Sequence, residues 1–350
     1  MVKKYLSTLL LSTSLSAASI PDSPSSCWTT SEDSAHLLPP HLCRAISSAG
    51  SNSTWTHTLD SKSSARQEMV GFGAAWTGTT TYIFDKLSAE DQEGLMKELF
   101  TRNDGTDGIG GGIGMEFMRM TGKSERYGGR SEGQLEQQPT SHLLHTVGQS
   151  DLTPDGRWSF DENGNQPDPD LTNFDLTEPG ERMLKWVKRM MDYTENMLLL
   201  GSAWSPPGWM KQNNNLRWEY MDSYVNYWVK FLQKYRDNSI KVDAITLQNE
   251  PLHSAPVSGE AWTMYMDASY AAILSSMTSA AVEEAGLKTE IWAYDHNTDK
   301  PEYPQYVLDN SPSVKSVAWH CYGGGFEPLA SFAEANPGVK QVRQICCLRN

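Results

Sequence analysis

Gln248, Asn249 and Glu250 place two amides and a carboxylate side by side where a strand is predicted to end. The preceding residues, 242–247, alternate apolar side chains with small or polar ones, which is typical of a short buried strand. Pro251 then removes a backbone donor and ends the strand. Barrel enzymes keep their catalytic groups at such strand ends. Asn and Glu also suit the start of a helix, so these residues alone leave both interpretations open.

The alternation of strand and helix patterns along the chain favours the catalytic interpretation. Six apolar stretches are predicted as strands, and each ends in polar or aromatic residues: Trp76, Arg119, Trp204, Glu250, Asp295, and His320 with Tyr322. The carboxyl ends of parallel strands share one edge, so these side chains are expected to lie close together. A doubly wound open sheet is the alternative, and it usually carries a Gly-rich loop after its first strand. Here the Gly-rich residues 108–114 precede a strand, which favours a barrel.

Composition limits the classes of partner. The 350 residues suit one large α/β domain or two ordinary ones. A formal net charge of −14 argues against nucleic acid or an anionic membrane as a partner. His, Cys and acidic residues show no metal-ligand spacing, which disfavours a metalloenzyme. The 12 Trp and 14 Tyr include rings that could stack on sugars, although most of them are expected in the core.

The beginning of the chain predicts secretion. Residues 1–19 have a basic start, an apolar middle and a small-residue exit, as a signal peptide does, and they are too short to span a membrane. In an oxidising compartment Cys27 and Cys43 are expected to pair, whereas Cys321 is interpreted as a lone core residue. Asn52 begins a glycosylation acceptor, which is consistent with an extracellular protein.

Five short motifs occur in a fixed order along the chain. They are Gly-Phe-Gly-Ala-Ala-Trp at 71–76, Trp-Ser-Pro-Pro-Gly-Trp-Met-Lys at 204–211, Thr-Leu-Gln-Asn-Glu-Pro at 246–251, Trp-Ala-Tyr-Asp-His-Asn at 292–297 and Ala-Trp-His-Cys-Tyr at 318–322. In this order they resemble glycoside hydrolase family 30, the glucosylceramidase-like family, and within it the fungal secreted endo-β-1,6-glucanases.

The resemblance implies an α/β fold, a (β/α)8 TIM barrel with an attached β-sandwich, and a retaining double displacement that needs no metal or organic cofactor. It implies that Glu250 is the general acid/base, kept protonated by a partly apolar site, and that Asn249 contacts the sugar 2-hydroxyl. It further implies that five residues line the sugar pocket: Arg119, Trp204, Asp295, His320 and Tyr322. A place in the core for Trp204 and a loop cap for Asp295 stay open as alternatives.

The chain departs from the family's pattern at three places. Gly78 stands where the family usually has an Asp that holds sugar hydroxyls. Residues 122–146 interrupt the pattern without periodicity, and we interpret them as a retained intron, with a surface loop as the alternative. From Val342 the pattern is lost, which we interpret as a second read-through, with a natural short paralogue as the alternative.

The third departure bears on the nucleophile. A retaining enzyme needs a second carboxylate roughly 5–5.5 Å from the first, and the family carries it at the end of the seventh strand. We therefore expect a barrel with about six of eight strands, no nucleophile and an inactive chain. Glu327 and Glu334 are predicted on a helix and receive no catalytic role.

These interpretations divide the chain into a signal peptide (1–19), an N-terminal segment with β-sandwich strands (20–68), a partial catalytic barrel (69–341) and an aberrant tail (342–350). The predicted function is that of a secreted, extracellular, monomeric glycosidase that cleaves β-glucosidic bonds, foremost in the β-1,6-glucan of cell walls. One alternative is a glucosylceramidase. Another is a non-catalytic glucan-binding protein that uses Trp204, Trp209 and Tyr322 as a stacking platform.

Overall fold

The structure is a computed structural model that describes residues 25–30, 37–43, 71–101, 112–121, 158–194, 197–253 and 263–345. The predicted signal peptide, the glycosylation acceptor at Asn52 and the insertion at 122–146 lie outside these residues.

The N-terminal unit, Met1–Val70, contains two described strands, β1 (Ser25–Thr30) and β2 (Leu37–Cys43), which pair antiparallel. Cys27 stands opposite His41, and Cys43 stands opposite Ser25. The two cysteines are therefore two positions out of register, and their predicted disulfide stays a prediction.

The second unit, Gly71–Asn350, contains nine described strands. They are β3 (Gly73–Trp76), β4 (Phe117–Thr121), β5 (Leu198–Ser202), β6 (Lys211–Gln212), β7 (Asn215–Leu216), β8 (Ala244–Thr246), β9 (Glu290–Asn297), β10 (Ser316–His320) and β11 (Lys340–Ile345). β6 and β7 form a short hairpin, and the other seven form one parallel sheet in the order β11-β10-β9-β8-β5-β4-β3. Apart from the inserted β6–β7 hairpin, strands that are neighbours in this sheet are also consecutive in the chain, as in a barrel.

Helices follow the sheet strands up to β10 before the chain returns to the sheet. They are α1 (Gly78–Lys86) and α2 (Ala89–Phe100) after β3, α3 (Thr177–Met191) after β4, α4 (Met221–Asp237) after β5, α5 (Ala268–Glu284) after β8, α6 (Glu302–Asn310) after β9 and α7 (Glu327–Ala335) after β10. In the described residues, no helix is both long and apolar enough to cross a bilayer.

Side-chain caps decide where several helices begin. Ser88 and Asp91 match a capping box in the sequence, which predicts a helix start here, and the structure confirms the cap of α2, because Ser88 accepts a hydrogen bond from the Asp91 backbone N–H at 3.1 Å. The sequence pattern predicts α5 from about Ala261, but the helix begins at Ala268, because the Asp267 carboxylate caps it by accepting from the Tyr270 N–H at 2.9 Å. The preceding described residues are thereby left as a connection at the carboxyl edge of the sheet.

The sheet encloses a small interior of its own. Leu200, Ala244, Trp292 and Ala318 form a buried cluster there, with Phe117 and Val342 packed against it. The Phe117 and Trp292 rings stack at a centroid distance of 6.1 Å, so β4 and β9 meet across the interior. Most other buried apolar side chains, such as Ile245, belong to the larger cluster. The α/β class and the incomplete TIM barrel are confirmed.

The described sheet has one strand more than the six expected, because the chain continues as β11 past the predicted break at Val342. Val342 stands opposite Ala318 in a parallel ladder and packs toward the interior. The ladder with β10 forms whatever the origin of these residues, so the aberrant tail itself stays a prediction. The interpretation of Cys321 as a lone core residue is wrong, since Cys321 is disulfide-bonded.

The close approach of β3 to β4 depends on a glycine. A Cβ on Gly73 would lie 1.4 Å from the carbonyl oxygen of Phe117, so Gly73→Ala should push the two strands apart and lower the free energy of unfolding by about 2–3 kcal/mol. A Cβ on Gly94, which is exposed in α2, would meet no atom within 4 Å, so Gly94→Ala should raise it by about 0.5–1 kcal/mol. Urea denaturation measures the free energy of unfolding of both variants, and equal changes for the two would contradict the close approach of β3 to β4.

Candidate active site

Five neighbouring strands bring polar side chains to the carboxyl edge of the sheet. Arg119 comes from β4, Ser202 from β5, Thr246 from β8, Asp295 from β9 and His320 from β10. All five are buried. The prediction that strand ends converge is confirmed for Arg119, Asp295 and His320, whereas Ser202 and Thr246 are not among the predicted site residues.

Asp295 is the centre of this group. Its Oδ2 accepts hydrogen bonds from Arg119 Nη2 at 2.9 Å, Ser202 Oγ at 2.6 Å and Thr246 Oγ1 at 2.5 Å. Burial acts to raise the pKa of Asp295, but the charges of Arg119 and His320 and these hydrogen bonds hold that pKa well below its usual range. Asp295 is therefore an ionised, fully engaged carboxylate, which answers the alternative of a loop cap.

A break in the β9–β10 ladder directs Asp295 into this position. Tyr294 pairs with Ala318 and His296 with Trp319, so Asp295 is an extra residue on β9, as in a bulge. Asp295 has φ of 59° and Tyr294 has φ of 80°, conformations that cost about 1–3 kcal/mol for non-glycine residues. Such strain persists where surrounding interactions hold it, and the four contacts to the Asp295 carboxylate do so.

His320 connects Asp295 to Glu250. Its Nε2 lies 2.7 Å from Asp295 Oδ1, and its Nδ1 lies 2.9 Å from Glu250 Oε1. Burial, the largest single effect, acts to lower the pKa of His320, but the charge of Asp295 and the hydrogen bonds to both carboxylates raise it above the usual value. The ring is thus held between two carboxylates as a cation that donates to both.

Glu250 follows β8 and faces the opening of the site. Its backbone N–H donates to the Asp295 carbonyl oxygen at 2.9 Å, its φ is 48°, and 16% of its side chain is exposed. Burial raises the pKa of Glu250, but the hydrogen bond and charge of His320 outweigh it, so the pKa lies below the usual value. The expectation that the pocket keeps this carboxyl protonated is therefore wrong for the described residues.

The two amides before Glu250 have different tasks. Asn249 Oδ1 accepts from Arg119 Nη2 at 2.6 Å, which fixes the amide and leaves its Nδ2 as the end not used by Arg119. Gln248 Nε2 donates to the Trp204 carbonyl oxygen at 2.6 Å and to Thr263 Oγ1 at 2.9 Å. Gln248 thus holds the adjoining loops together, whereas Asn249 is held by the Arg119 side chain.

Aromatic side chains around the site differ in exposure. Trp204 is 5% exposed and packs under the Arg119 guanidinium at 4.9 Å, and Trp209 is 4% exposed and donates its indole N–H to the Asp161 carbonyl oxygen at 2.9 Å. Neither can be part of an exposed stacking platform. Tyr322 is 52% exposed, and its ring meets His320 edge to face at 5.9 Å.

The arrangement can hold a polar ligand and exchange a proton with it through Glu250. Among the described residues, no group of three or more His, Cys, Asp and Glu side chains could hold a metal ion. Ser202 and Thr246 could have been found as hydroxyl residues at the ends of predicted strands. Their role depends on Asp295, however, and the sequence leaves a loop cap open as an alternative for Asp295. The predicted sugar contacts of Arg119, Trp204, Asn249, Asp295, His320 and Tyr322 stay predictions.

Comparison with known proteins gives consistent results. The family model described as "Glycosyl hydrolase family 30 TIM-barrel domain" matches residues 156–271. The endo-1,6-β-D-glucanase neg1 of Aspergillus fumigatus is 39% identical over 85% of this chain and 59% of its own length. The endo-1,6-β-D-glucanase of Neurospora crassa is 35% identical over 97% of this chain and 66% of its own length. The chain thus spans about three fifths of the length of these relatives.

Solved structures support the same fold. The endo-β-1,6-glucanase BT3312 superposes with a TM-score of 0.63 at 23% sequence identity, covering 79% of this chain and 57% of the other. SrfJ from Salmonella typhimurium superposes with a TM-score of 0.62 at 19% identity, covering 79% and 56%. At these identities the likeness establishes the barrel fold.

Replacement of Asp295 should reveal how much the site depends on its charge. Asp295→Asn leaves the buried guanidinium of Arg119 without its counter-ion, so the free energy of unfolding should fall by about 3–5 kcal/mol. Asp309→Asn, on the exposed surface of α6, should change it by less than about 0.5 kcal/mol. Urea denaturation compares the two, and a loss below about 1 kcal/mol for Asp295→Asn would contradict the central role of the ion pair.

The raised pKa of His320 predicts a pH dependence of stability. A group whose pKa is raised on folding stabilises the protein fully below its unfolded pKa of about 6.5, and this contribution is lost as the pH rises through the folded pKa. His320→Gln should therefore reduce the decline of Tm above pH 6.5. His253→Gln, a change of a half-exposed ring 3.6 Å from Glu250 Oε2, serves as the control and should keep the decline. Equal slopes in wild type and His320→Gln would refute a charged His320.

Proposed function

We propose that this chain, which belongs to glycosyl hydrolase family 30, is a glycosidase that cleaves β-1,6-glucan internally, with Glu250 as the general acid/base. The observation that carries the proposal is the position of Glu250. It follows β8 at the carboxyl edge, beside the fixed amide of Asn249 and in contact with His320.

The relatives support glucan rather than a glycolipid as the substrate. Three fungal proteins named endo-1,6-β-D-glucanase are 34–39% identical to this chain over 84–97% of it. The lysosomal acid glucosylceramidase of Mus musculus is 23% identical over 53% of it. At the start of α1, Gly78 stands where the resemblance implies an Asp. The chain therefore lacks one carboxylate that would hold sugar hydroxyls, which should weaken its contacts to the sugar.

We also propose that the protein acts outside the cell, as a monomer. The leader-like residues 1–19 support export. The disulfide of Cys321 is consistent with an oxidising compartment.

In the proposed reaction Glu250 protonates the leaving oxygen in the first step and takes a proton from water in the second. Its lowered pKa suits the second role, since an ionised carboxylate is a base. The first role needs a negative charge that raises this pKa. In retaining enzymes a second carboxylate roughly 5–5.5 Å away supplies that charge and attacks the sugar.

Asp295 does not fill the place of that second carboxylate. Both of its oxygens accept hydrogen bonds, and the imidazole ring of His320 stands between it and Glu250. The three largest charge effects on the pKa of Glu250 come from histidines. Asp295 is therefore not proposed as the nucleophile, and the expected loss of the nucleophile and of turnover stays a prediction.

An external nucleophile tests the role of Glu250 in the chain as it is. Azide attacks C1 of the sugar from the face opposite the leaving oxygen, the C1–O bond breaks, and the proton of Glu250 passes to that oxygen, so an α-glycosyl azide forms. We expect azide-dependent shortening of a soluble β-1,6-gluco-oligosaccharide, measured by mass spectrometry. Glu250→Gln should slow it about 10²–10⁴-fold. Glu334→Gln, exposed on α7, should not change it.

Each outcome of this assay is informative. Cleavage by Glu250→Gln at the wild-type rate would remove Glu250 from its role. Cleavage without azide that depends on Glu250 would support the glycosidase and overturn the lack of a nucleophile. Saturable binding without any cleavage would favour the second candidate, a glucan-binding protein, for which the full engagement of Asp295 is the supporting observation.

A further inference from the structure

Trp218 is a large aromatic side chain that is 66% exposed, although it lies between two regular elements of the fold, β7 and α4. Its ring centroid is 5.8 Å from that of Tyr270, and the two rings are inclined by 56°. Exposure of an indole to water is unfavourable for folding. An exposed indole that packs beside the half-buried ring of Tyr270 is therefore a candidate binding surface.

The pair lies on connections that start at the carboxyl edge of the sheet. Trp218 belongs to the connection that leaves β5, and Tyr270 belongs to the first turn of α5, which follows the connection leaving β8. Within that second connection, the Met264 N–H donates to the Trp204 carbonyl oxygen at 3.0 Å, and the Met266 N–H donates to the Pro251 carbonyl oxygen at 3.0 Å. The same backbone that carries the site residues thus also supports the aromatic pair.

Local contacts hold the pair in place. The Tyr270 hydroxyl donates to the Leu216 carbonyl oxygen at 3.3 Å. Trp218 begins a single helical turn that the Tyr220 N–H closes by donating to the Arg217 carbonyl oxygen at 2.9 Å. Tyr220 in turn packs edge to face on buried Trp209 at 5.0 Å. A ring fixed in this way loses little further freedom when a ligand stacks on it, which favours binding.

We propose that Trp218 and Tyr270 form a distal subsite that stacks one glucosyl unit of the substrate chain, away from the bond that is cleaved. The flat apolar face of a glucose ring suits an exposed indole. Arg217 and Glu219, which form an ion pair beside Trp218, supply polar groups for the sugar hydroxyls.

The strand order gives this subsite a direction. β8, which leads to Glu250, lies between β5 on one side and β9 and β10 on the other. Trp218 lies in the connection that leaves β5 and the exposed ring of Tyr322 follows β10, so the strands from which the two residues follow lie on opposite sides of β8 in the sheet. A glucan that is cut internally must extend from the cleavage point in both directions. This inference rests on the proposed function and extends it to a longer stretch of substrate.

Binding of β-1,6-gluco-oligosaccharides of two to eight units tests the subsite without requiring turnover. All proteins carry Glu250→Gln so that the ligands stay intact, and calorimetry gives the Kd. In this background Trp218→Ala should weaken binding of the octasaccharide about tenfold, which corresponds to about 1.4 kcal/mol, and binding of the disaccharide less than twofold. Trp218→Phe should restore most of the affinity. Tyr306→Ala, which removes another exposed ring on α6, is the matched control and should leave both affinities unchanged.

The outcomes separate the subsite from the proposed function. If the background protein binds no oligosaccharide of any length, the proposed function fails. If it binds the octasaccharide and Trp218→Ala binds it equally well, the subsite is refuted while the proposed function stands. An equal loss for the disaccharide and the octasaccharide would also refute the subsite, because it would show a change at the cleavage site itself.

Discussion

The buried ion pair between Arg119 and Asp295 determines how the carboxyl edge of this barrel is assembled. Each partner has lost its contact with water, a loss that is severe unless the geometry and further hydrogen bonds offset it. Ser202 and Thr246 supply those hydrogen bonds, and His320 engages the remaining oxygen. Side chains from four strands thus converge on the Asp295 carboxylate of a fifth. A change in any of these side chains would move the negative charge on which Arg119 and His320 depend.

The state of Glu250 follows from this assembly. Asp295 keeps His320 protonated, and the charged ring lowers the pKa of Glu250 and holds its carboxylate in place. The arrangement favours the ionised form of Glu250. A second negative charge near Glu250 would reverse this preference, so the protonated form that the proposed reaction needs depends on whether that charge is present. The contact with His320 holds the Glu250 carboxylate in place without a second carboxylate, so the role of Glu250 can be tested separately from that of a nucleophile.

The barrel and most of the site can be predicted from the sequence because both depend on local patterns. A run of apolar residues that ends in a polar one identifies a strand and the edge at which its polar side chain lies, as at Glu250. The place of Asp295 at the centre cannot be predicted in this way, since it arises from a bulge and a positive φ that leave no periodic signal. Ser202 and Thr246 matter only through Asp295. Val342 continues the sheet by pairing with β10, although the family resemblance is lost there, so loss of the resemblance does not predict where the sheet ends.

A crystal structure of the Glu250→Gln protein with a bound β-1,6-gluco-oligosaccharide would show whether residue 250 lies at the bond that is proposed to be cleaved. The account predicts that a glycosidic oxygen lies about 2.6–3.2 Å from the Gln that replaces Glu250. It also predicts that Asn249 Nδ2 contacts the 2-hydroxyl of the sugar on the side to be attacked. A sugar chain that crosses the carboxyl edge without placing a glycosidic oxygen near residue 250 would contradict the assignment of Glu250.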